Sequence, residues 1–180
     1  KDSNSQYKAY KYYQKLKKNT LVLSDVDGTL VKGSLVLNHA KYLHDKKIIN
    51  IGKLPDAWVS DMKNETIIRK LAEAYRESIT GKTLKELDID NYMGSLQKNN
   101  FYTTFSQIKK MKNYGAKVVL ISGSPDYLVK KLAKSSGFIG IGSKYHTDPE
   151  TKQLTGTVDG MFNAEAKEKV VNGLIRKYNS

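Results

Sequence analysis

The stretch T-L-V-L-S-D-V-D-G-T-L, residues 20–30, constrains the fold more than any other part of the sequence. Its three consecutive apolar residues are typical of a short buried strand, and Asp25 and Asp27 follow where that strand should end. Carboxylates at alternate positions after a strand face the same space, and like charges held that close require a cation, a proton or both. Gly28 and Thr29 then turn the chain. The stretch predicts a functional site at the strand's end, although an Asp-rich turn is an alternative interpretation.

The D-x-D-G-T-L string resembles the first motif of the haloacid dehalogenase (HAD) superfamily of phosphohydrolases. The resemblance implies that Asp25 attacks phosphorus and that Asp27 transfers the proton. It also implies that Mg²⁺ is held by the Asp25 carboxylate and the Asp27 carbonyl, and that Thr29 contributes to phosphate binding.

A second strand-to-loop junction lies at V-V-L-I-S-G-S-P-D, residues 118–126. Ser124 suits the N-cap of the next helix and Pro125 its first position, and such a helix start with free N–H groups can cradle a phosphate. The string resembles the second motif of the phosphoserine-phosphatase-like branch of the superfamily. That resemblance implies that Ser122 and the Gly123 N–H bind phosphate, whereas an ordinary capping turn is the alternative.

A candidate cation for the site lies in the last predicted helix, which Asn163 caps. Lys167 is in its first turn, off the apolar stripe, where a cation is mildly unfavourable with the helix dipole. By position Lys167 matches the superfamily's motif-three lysine, which balances the charges of the nucleophile and the phosphate. Lys169 is the alternative after a small register slip, and a solvated lysine is the other interpretation.

Residues 33–100 predict an all-helical insert placed directly after the first motif. Apolar residues at helical spacing indicate one helix at 35–43 and another at 67–75, and Gly52 to Pro55 predicts a turn before a packed Trp58. In the family this is the position of the cap that closes over the active site and excludes water. An ordinary helical subdomain is the alternative.

The rest of the chain alternates helices and strands. The patterns predict a helix that begins at 101 and ends at 113–115, with Gly115 as its stop, strands at 117–121 and 138–141, and a hairpin whose arms are residues 143–147 and 154–158. We therefore predict an α/β fold with a doubly wound, Rossmann-like parallel sheet formed by residues 20–32 and 101–180, with the helical cap inserted after the first strand. The three histidines, His39, His44 and His146, lack zinc-site spacing and are interpreted as surface or packing residues.

Composition narrows the classes of partner. The absence of cysteine excludes thiol catalysis and disulfides and fits a reducing compartment, so we expect a cytoplasmic location. No window approaches about 18 consecutive apolar residues, so no transmembrane segment is predicted. The formal net charge of +13 favours anionic partners, although lysines spread along a whole chain are also typical of solvated helix faces.

The polar segment 1–19 interleaves tyrosines with lysines. Such a pattern can form a platform for single-stranded nucleic acid, and is more often an amphipathic helix that packs its tyrosines on a domain.

The function we expect is a magnesium-dependent phosphatase for a small phosphorylated substrate. A phosphatase or phosphotransferase acting on nucleic-acid ends, and a non-catalytic phosphate-binding module, are the alternatives, and the sequence does not indicate an oligomeric state.

Two departures from the family pattern lead to further expectations. Phosphoserine phosphatases have an acidic residue shortly after D-x-D-G-T-L that meets the substrate ammonium, whereas residues 31–34 here are V-K-G-S. We therefore expect that phosphoserine is not the substrate and that Lys32 favours another anion.

The fourth motif of the superfamily, an acidic pair completing the magnesium site, should lie on the order of twenty residues after the third. Only 13 residues follow Lys167, and none beyond Glu168 is acidic. The strand before that motif would also cover the free edge of the first strand. We therefore expect a complete chain to continue with an apolar strand and Asp residues; otherwise activity should be weak, or a second chain should cover the edge.

Overall fold

Strands and helices alternate along the computed structural model, which describes residues 20–52, 65–160 and 163–178. The strands are β1 (Leu21–Asp25), β2 (Lys117–Pro125), β3 (Ile139–Thr147) and β4 (Leu154–Asp159). The helices are α1 (Leu35–Asp45), α2 (Glu65–Ile79), α3 (Ile89–Ser95), α4 (Thr103–Asn113), α5 (Asp126–Lys134) and α6 (Ala164–Tyr178), with a 3₁₀ turn at Lys98–Asn100. The N-terminal segment and the predicted turn with Trp58 lie outside the described residues. Within these ranges no helix has the length and apolar character needed to cross a membrane.

The sheet has the strand order β1-β2-β3-β4, with β1 at one edge of the part that is described. β1, β2 and β3 are parallel, and Asp25 pairs with Ile121. β4 returns antiparallel to β3. This mostly parallel arrangement confirms the predicted α/β class.

Helices cover both faces of the sheet because side chains alternate along β2. Val118 and Leu120 pack in one cluster with apolar residues of α4 and α5. Val119 and Ile121 face the other way and pack against apolar residues of α6. The two layers of helices make the sheet doubly wound, as predicted.

One prediction about β3 is wrong. The sequence indicated a strand at 138–141 and a separate hairpin arm at 143–147, whereas β3 is continuous from Ile139 to Thr147. Its first half pairs with β2 and its second half with β4, so one strand serves both the sheet and the hairpin. Glycines on β3 allow α5 to lie directly on it: a Cβ at Gly140 would be 2.6 Å from the Val129 carbonyl oxygen.

In the described part of the insert between β1 and α4 the regular elements are helices, and the insert packs on the hairpin. The Gly81 N–H donates to the Leu154 carbonyl at 2.8 Å, and the Leu154 N–H donates to the Lys82 carbonyl at 2.8 Å. Leu154 is buried among apolar side chains of α1 and α2. The insert and β4 therefore share a core.

A buried chain of neutral hydrogen bonds also joins the insert to the α/β core. His39 on α1 is fully buried, and its Nε2 lies 2.8 Å from the Leu87 carbonyl, to which it donates. Its Nδ1 therefore accepts from the Tyr75 hydroxyl of α2 at 2.9 Å, and the Tyr75 oxygen accepts from the Tyr127 hydroxyl of α5 at 2.7 Å. Burial lowers the pKa of His39 to about 4. His39 is thus a packing residue, which was one of the two interpretations of the sequence. Its two ring nitrogens also fix the direction of the hydrogen bonds that link α1 to α2.

The contact between α5 and β3 gives a stability prediction. Gly140→Ala should lower the free energy of unfolding by about 1–3 kcal/mol, because the new methyl group meets backbone atoms that cannot move aside. Gly173→Ala is the control: on α6 nothing lies near its Cβ position, so the change should raise stability by about 0.5–1 kcal/mol. Urea denaturation measures both, and equal effects would contradict this account of the packing.

The buried histidine makes stability depend on pH. The unfolded chain protonates His39 below about pH 6.5, but the folded protein does so only near pH 4, so unfolding is favoured as the pH falls between those values. The gap corresponds to about 3 kcal/mol. His39→Gln should remove this part of the pH dependence, whereas His44→Gln, on the same helix, should keep it. Urea titrations at several pH values measure the difference, and identical pH slopes for His39→Gln and the parent protein would refute it.

Candidate active site

The candidate site lies at the carboxyl ends of β1 and β2. Because the two strands are parallel and Asp25 pairs with Ile121, the loop after β1 and the end of β2 meet at the same edge. Val26 and Leu30 are fully buried and fix the turn between them. The predicted site residues therefore converge from distant parts of the sequence.

Asp25 ends β1 beside a cation. Lys167 Nζ lies 2.7 Å from Asp25 Oδ1, and both side chains are 37% exposed. The Thr29 hydroxyl lies 3.4 Å from Asp25 Oδ2. The alternative lysine, Lys169, instead pairs with Glu165 one turn away on α6.

The start of α6 places Lys167 at the site. The Asn163 side chain accepts a hydrogen bond from the Ala166 N–H at 2.8 Å, so it caps the helix as predicted. Further along, Val170, Val171 and Leu174 pack against the sheet. Packing of that stripe on β1 and β2 leaves the first turn of α6 next to Asp25.

Asp27 has a different environment, made of neutral donors. Its Oδ1 accepts from the Leu35 N–H at the start of α1 at 2.6 Å. Its Oδ2 accepts from the Ser122 hydroxyl at 2.5 Å, and the Ser124 hydroxyl lies 3.1 Å from Oδ1 and 3.0 Å from Oδ2. Gly123 lies between the two serines and accepts at its carbonyl from Ser143.

The pKa of Asp27 is raised above that of a free aspartate. Burial is the largest cause, and the nearby charge of Asp25 adds to it. Hydrogen bonds from Ser122, Leu35 and Ser124 stabilise the carboxylate and oppose the shift. Asp27 can therefore carry a proton at a higher pH than an exposed aspartate, which suits a group that gives and takes protons.

The prediction that Ser124 caps the helix after β2 is wrong. β2 continues through Pro125, α5 begins at Asp126, and no side chain caps that helix. The Ser124 hydroxyl instead faces Asp27 and accepts from the Val36 N–H of α1 at 3.3 Å. Its spacing suited a cap equally well, and only the tertiary fold shows that Asp27, 97 positions away, is its partner.

The donor atoms suit a hard divalent cation in part. Mg²⁺ takes oxygen ligands and keeps several waters, so an Asp25 carboxylate oxygen and the Asp27 carbonyl are chemically suitable. In residues 20–52, 65–160 and 163–178, no group of three or more His, Cys, Asp or Glu side chains is placed to hold a metal. The described residues thus offer two candidate ligands, the Asp25 carboxylate and the Asp27 carbonyl.

Comparison with known proteins gives structural matches only. No protein-family model and no curated protein sequence matches the chain. A HAD-family hydrolase of Salmonella enterica serovar Typhi matches over 92% of this chain with a TM-score of 0.59 and 18% identity. A Bordetella pertussis protein of unknown function matches over 88% with a TM-score of 0.65 and 16% identity. A phosphoserine phosphatase, solved as a phospho-aspartyl intermediate analogue, matches over 91% with a TM-score of 0.57 and 22% identity.

This is the HAD hydrolase fold. The chain spans 54% of the Salmonella protein and 74% of the other two. At these identities the likeness extends to the fold, and the roles of individual residues depend on the site geometry described above.

Proposed function

We propose that the protein is a HAD-type, Mg²⁺-dependent phosphatase that hydrolyses a small phosphomonoester through an aspartyl-phosphate on Asp25. The observation that carries the proposal is the pairing of two unlike carboxylates at one sheet edge. Asp25 faces the Lys167 ammonium at 2.7 Å, whereas Asp27 is held by neutral donors. Two carboxyl groups in environments that differ in this way are suited to separate roles as nucleophile and acid–base group. The HAD fold, shared with a phosphoserine phosphatase, supports the same chemistry.

In the first step an Asp25 carboxylate oxygen attacks phosphorus, and the bond from phosphorus to the leaving oxygen breaks. The proton carried by Asp27 passes to that oxygen, so the product leaves as an alcohol. Asp27 then takes a proton from water while the water oxygen attacks the aspartyl-phosphate. The bond between Asp25 and phosphorus breaks, and inorganic phosphate is released.

The surrounding residues hold the transferring group. The Lys167 ammonium balances the charges of Asp25 and the phosphoryl oxygens, and Ser122, the Gly123 N–H and Thr29 hydrogen-bond those oxygens. Mg²⁺, bound by the Asp25 carboxylate and the Asp27 carbonyl, would screen phosphate charge from the anionic nucleophile.

The loop after the first motif bears on the choice of substrate. Lys32 is exposed there, and Ser34 is buried at the start of α1, so residues 31–34 present a cation and no acid. An ammonium group on the substrate would find no carboxylate in this loop. We therefore propose a substrate that carries a second anionic group and no ammonium group, in preference to phosphoserine.

The nucleophile is tested by Asp25→Asn, with Asp45→Asn as the control because Asp45 is an exposed partner of Lys41 on α1. Phosphate release from 4-nitrophenyl phosphate is measured with Mg²⁺ and with chelator. We expect Asp25→Asn to lose at least roughly a hundredfold in turnover, since an amide is a poor nucleophile, and Asp45→Asn to keep the parent rate. Activity of Asp25→Asn above a few per cent would refute the mechanism, and an inactive parent protein would favour a phosphate-binding module.

The lysine is tested by the matched pair Lys167→Gln and Lys169→Gln. Loss of the Lys167 charge should lower kcat/KM by roughly a hundredfold, whereas Lys169→Gln should change it less than about threefold. The free energy of unfolding should change by less than about 1 kcal/mol in both, because both ion pairs are substantially exposed. A larger loss from Lys169→Gln would transfer the role to that residue.

A further inference from the structure

The hydrogens of the two serines at the end of β2 can be assigned from their neighbours. The Ser122 oxygen accepts from the Ser124 N–H at 2.9 Å, and the Ser124 oxygen accepts from the Val36 N–H at 3.3 Å. Each hydroxyl has one hydrogen, and each lies within 3.1 Å of an Asp27 carboxylate oxygen. While Asp27 is ionised its carboxylate only accepts, so in that form both hydrogens point to Asp27.

The two serines cannot both keep that arrangement when substrate is bound. In the proposed mechanism the Ser122 hydroxyl donates its hydrogen to a phosphoryl oxygen. Asp27 then no longer accepts a hydrogen bond from Ser122. The Leu35 N–H and the Ser124 hydroxyl then remain. Ser124 lies at nearly equal distances from both carboxylate oxygens, so it can follow the carboxylate without leaving it.

We infer that Ser124 is the positioning residue for Asp27, holding its carboxyl toward the leaving oxygen while Ser122 binds the phosphoryl group. The inference rests on the proposed function and assigns Ser124 no contact with the substrate. Ser124 is 2% exposed and is held by Val36 of α1, so its hydroxyl is fixed from the insert side as well as from β2. A donor held on both sides suits a group whose task is orientation.

The test compares leaving groups in Ser124→Ala. An alkyl phosphate, glycerol 2-phosphate, needs a proton on its leaving oxygen, whereas 4-nitrophenolate leaves without one. We expect kcat/KM for the alkyl phosphate to fall by roughly tenfold or more and kcat/KM for 4-nitrophenyl phosphate to fall less than about threefold, since kcat/KM reports the steps up to departure of the leaving group and not the later hydrolysis of the aspartyl-phosphate. Asp27→Asn should show the same pattern with a larger alkyl loss.

Two further variants guard the interpretation. Ser135→Ala removes a serine hydroxyl just after the end of α5, where it donates to the Leu132 carbonyl, and should leave both rates unchanged. Ser124→Thr keeps the hydroxyl and should recover most of the alkyl phosphate rate. Thermal melting monitors folding of every variant; Ser124→Ala takes away the acceptor of the Val36 N–H, so we expect a lower melting temperature, and rates are compared at a temperature where each variant is folded.

The outcomes separate the two proposals. Equal losses of kcat/KM on both substrates would overturn the role of Ser124 while leaving the phosphatase intact. A parent protein with no Mg²⁺-dependent turnover, or an Asp25→Asn variant that keeps it, would overturn the proposed function and the role of Ser124 with it.

Discussion

Parallel pairing of β1 with β2 is the constraint on which the rest of the site depends. It aligns the carboxyl ends of two strands separated by about ninety residues of chain, and so brings Asp25 and Asp27 beside Ser122 and Ser124. The period-two alternation of β2 then decides what covers each face. Val118 and Leu120 pack against α4 and α5. Val119 and Ile121 pack on the other face against α6, whose first turn carries Lys167. Sheet register therefore determines which side chains meet at the candidate site, as well as how the helices pack.

Two aspartates this close can coexist because the fold gives them different partners. Asp25 is partly exposed and is paired with the Lys167 ammonium. Asp27 is compensated by dipoles from Leu35, Ser122 and Ser124, which hold the carboxyl in place without cancelling the effect of burial on its pKa. A lysine beside Asp27, like the one beside Asp25, would favour the ionised form of Asp27 and weaken it as a proton donor. The asymmetry of the two environments thus matters more than the presence of two acids.

Local patterns were enough to predict most of the elements and the residues at strand ends. Apolar runs gave β1 and β2, helical spacing gave α1 and α4, and the Asn163 cap marked the start of α6. The continuity of β3 could not be read in this way, because one strand changes its partner midway from β2 to β4. The orientation of Ser124 and the hydrogen-bond chain from His39 also escaped prediction, since both depend on contacts between residues far apart in sequence.

The start of the insert is hydrogen-bonded to the loop after β1 and to the end of β2. The first N–H groups of α1 are donors to Asp27 and to Ser124, so the helix that begins the insert also helps to hold the Asp27 carboxyl. Deeper in the insert, His39 and Tyr75 connect α1 and α2 to Tyr127 on α5, the helix that follows Ser124. A movement of the insert that breaks the contact of Leu35 with Asp27 would remove a donor from a partly buried carboxylate and favour its protonated form. The same physical link that positions Asp27 therefore makes its proton affinity sensitive to the position of the insert.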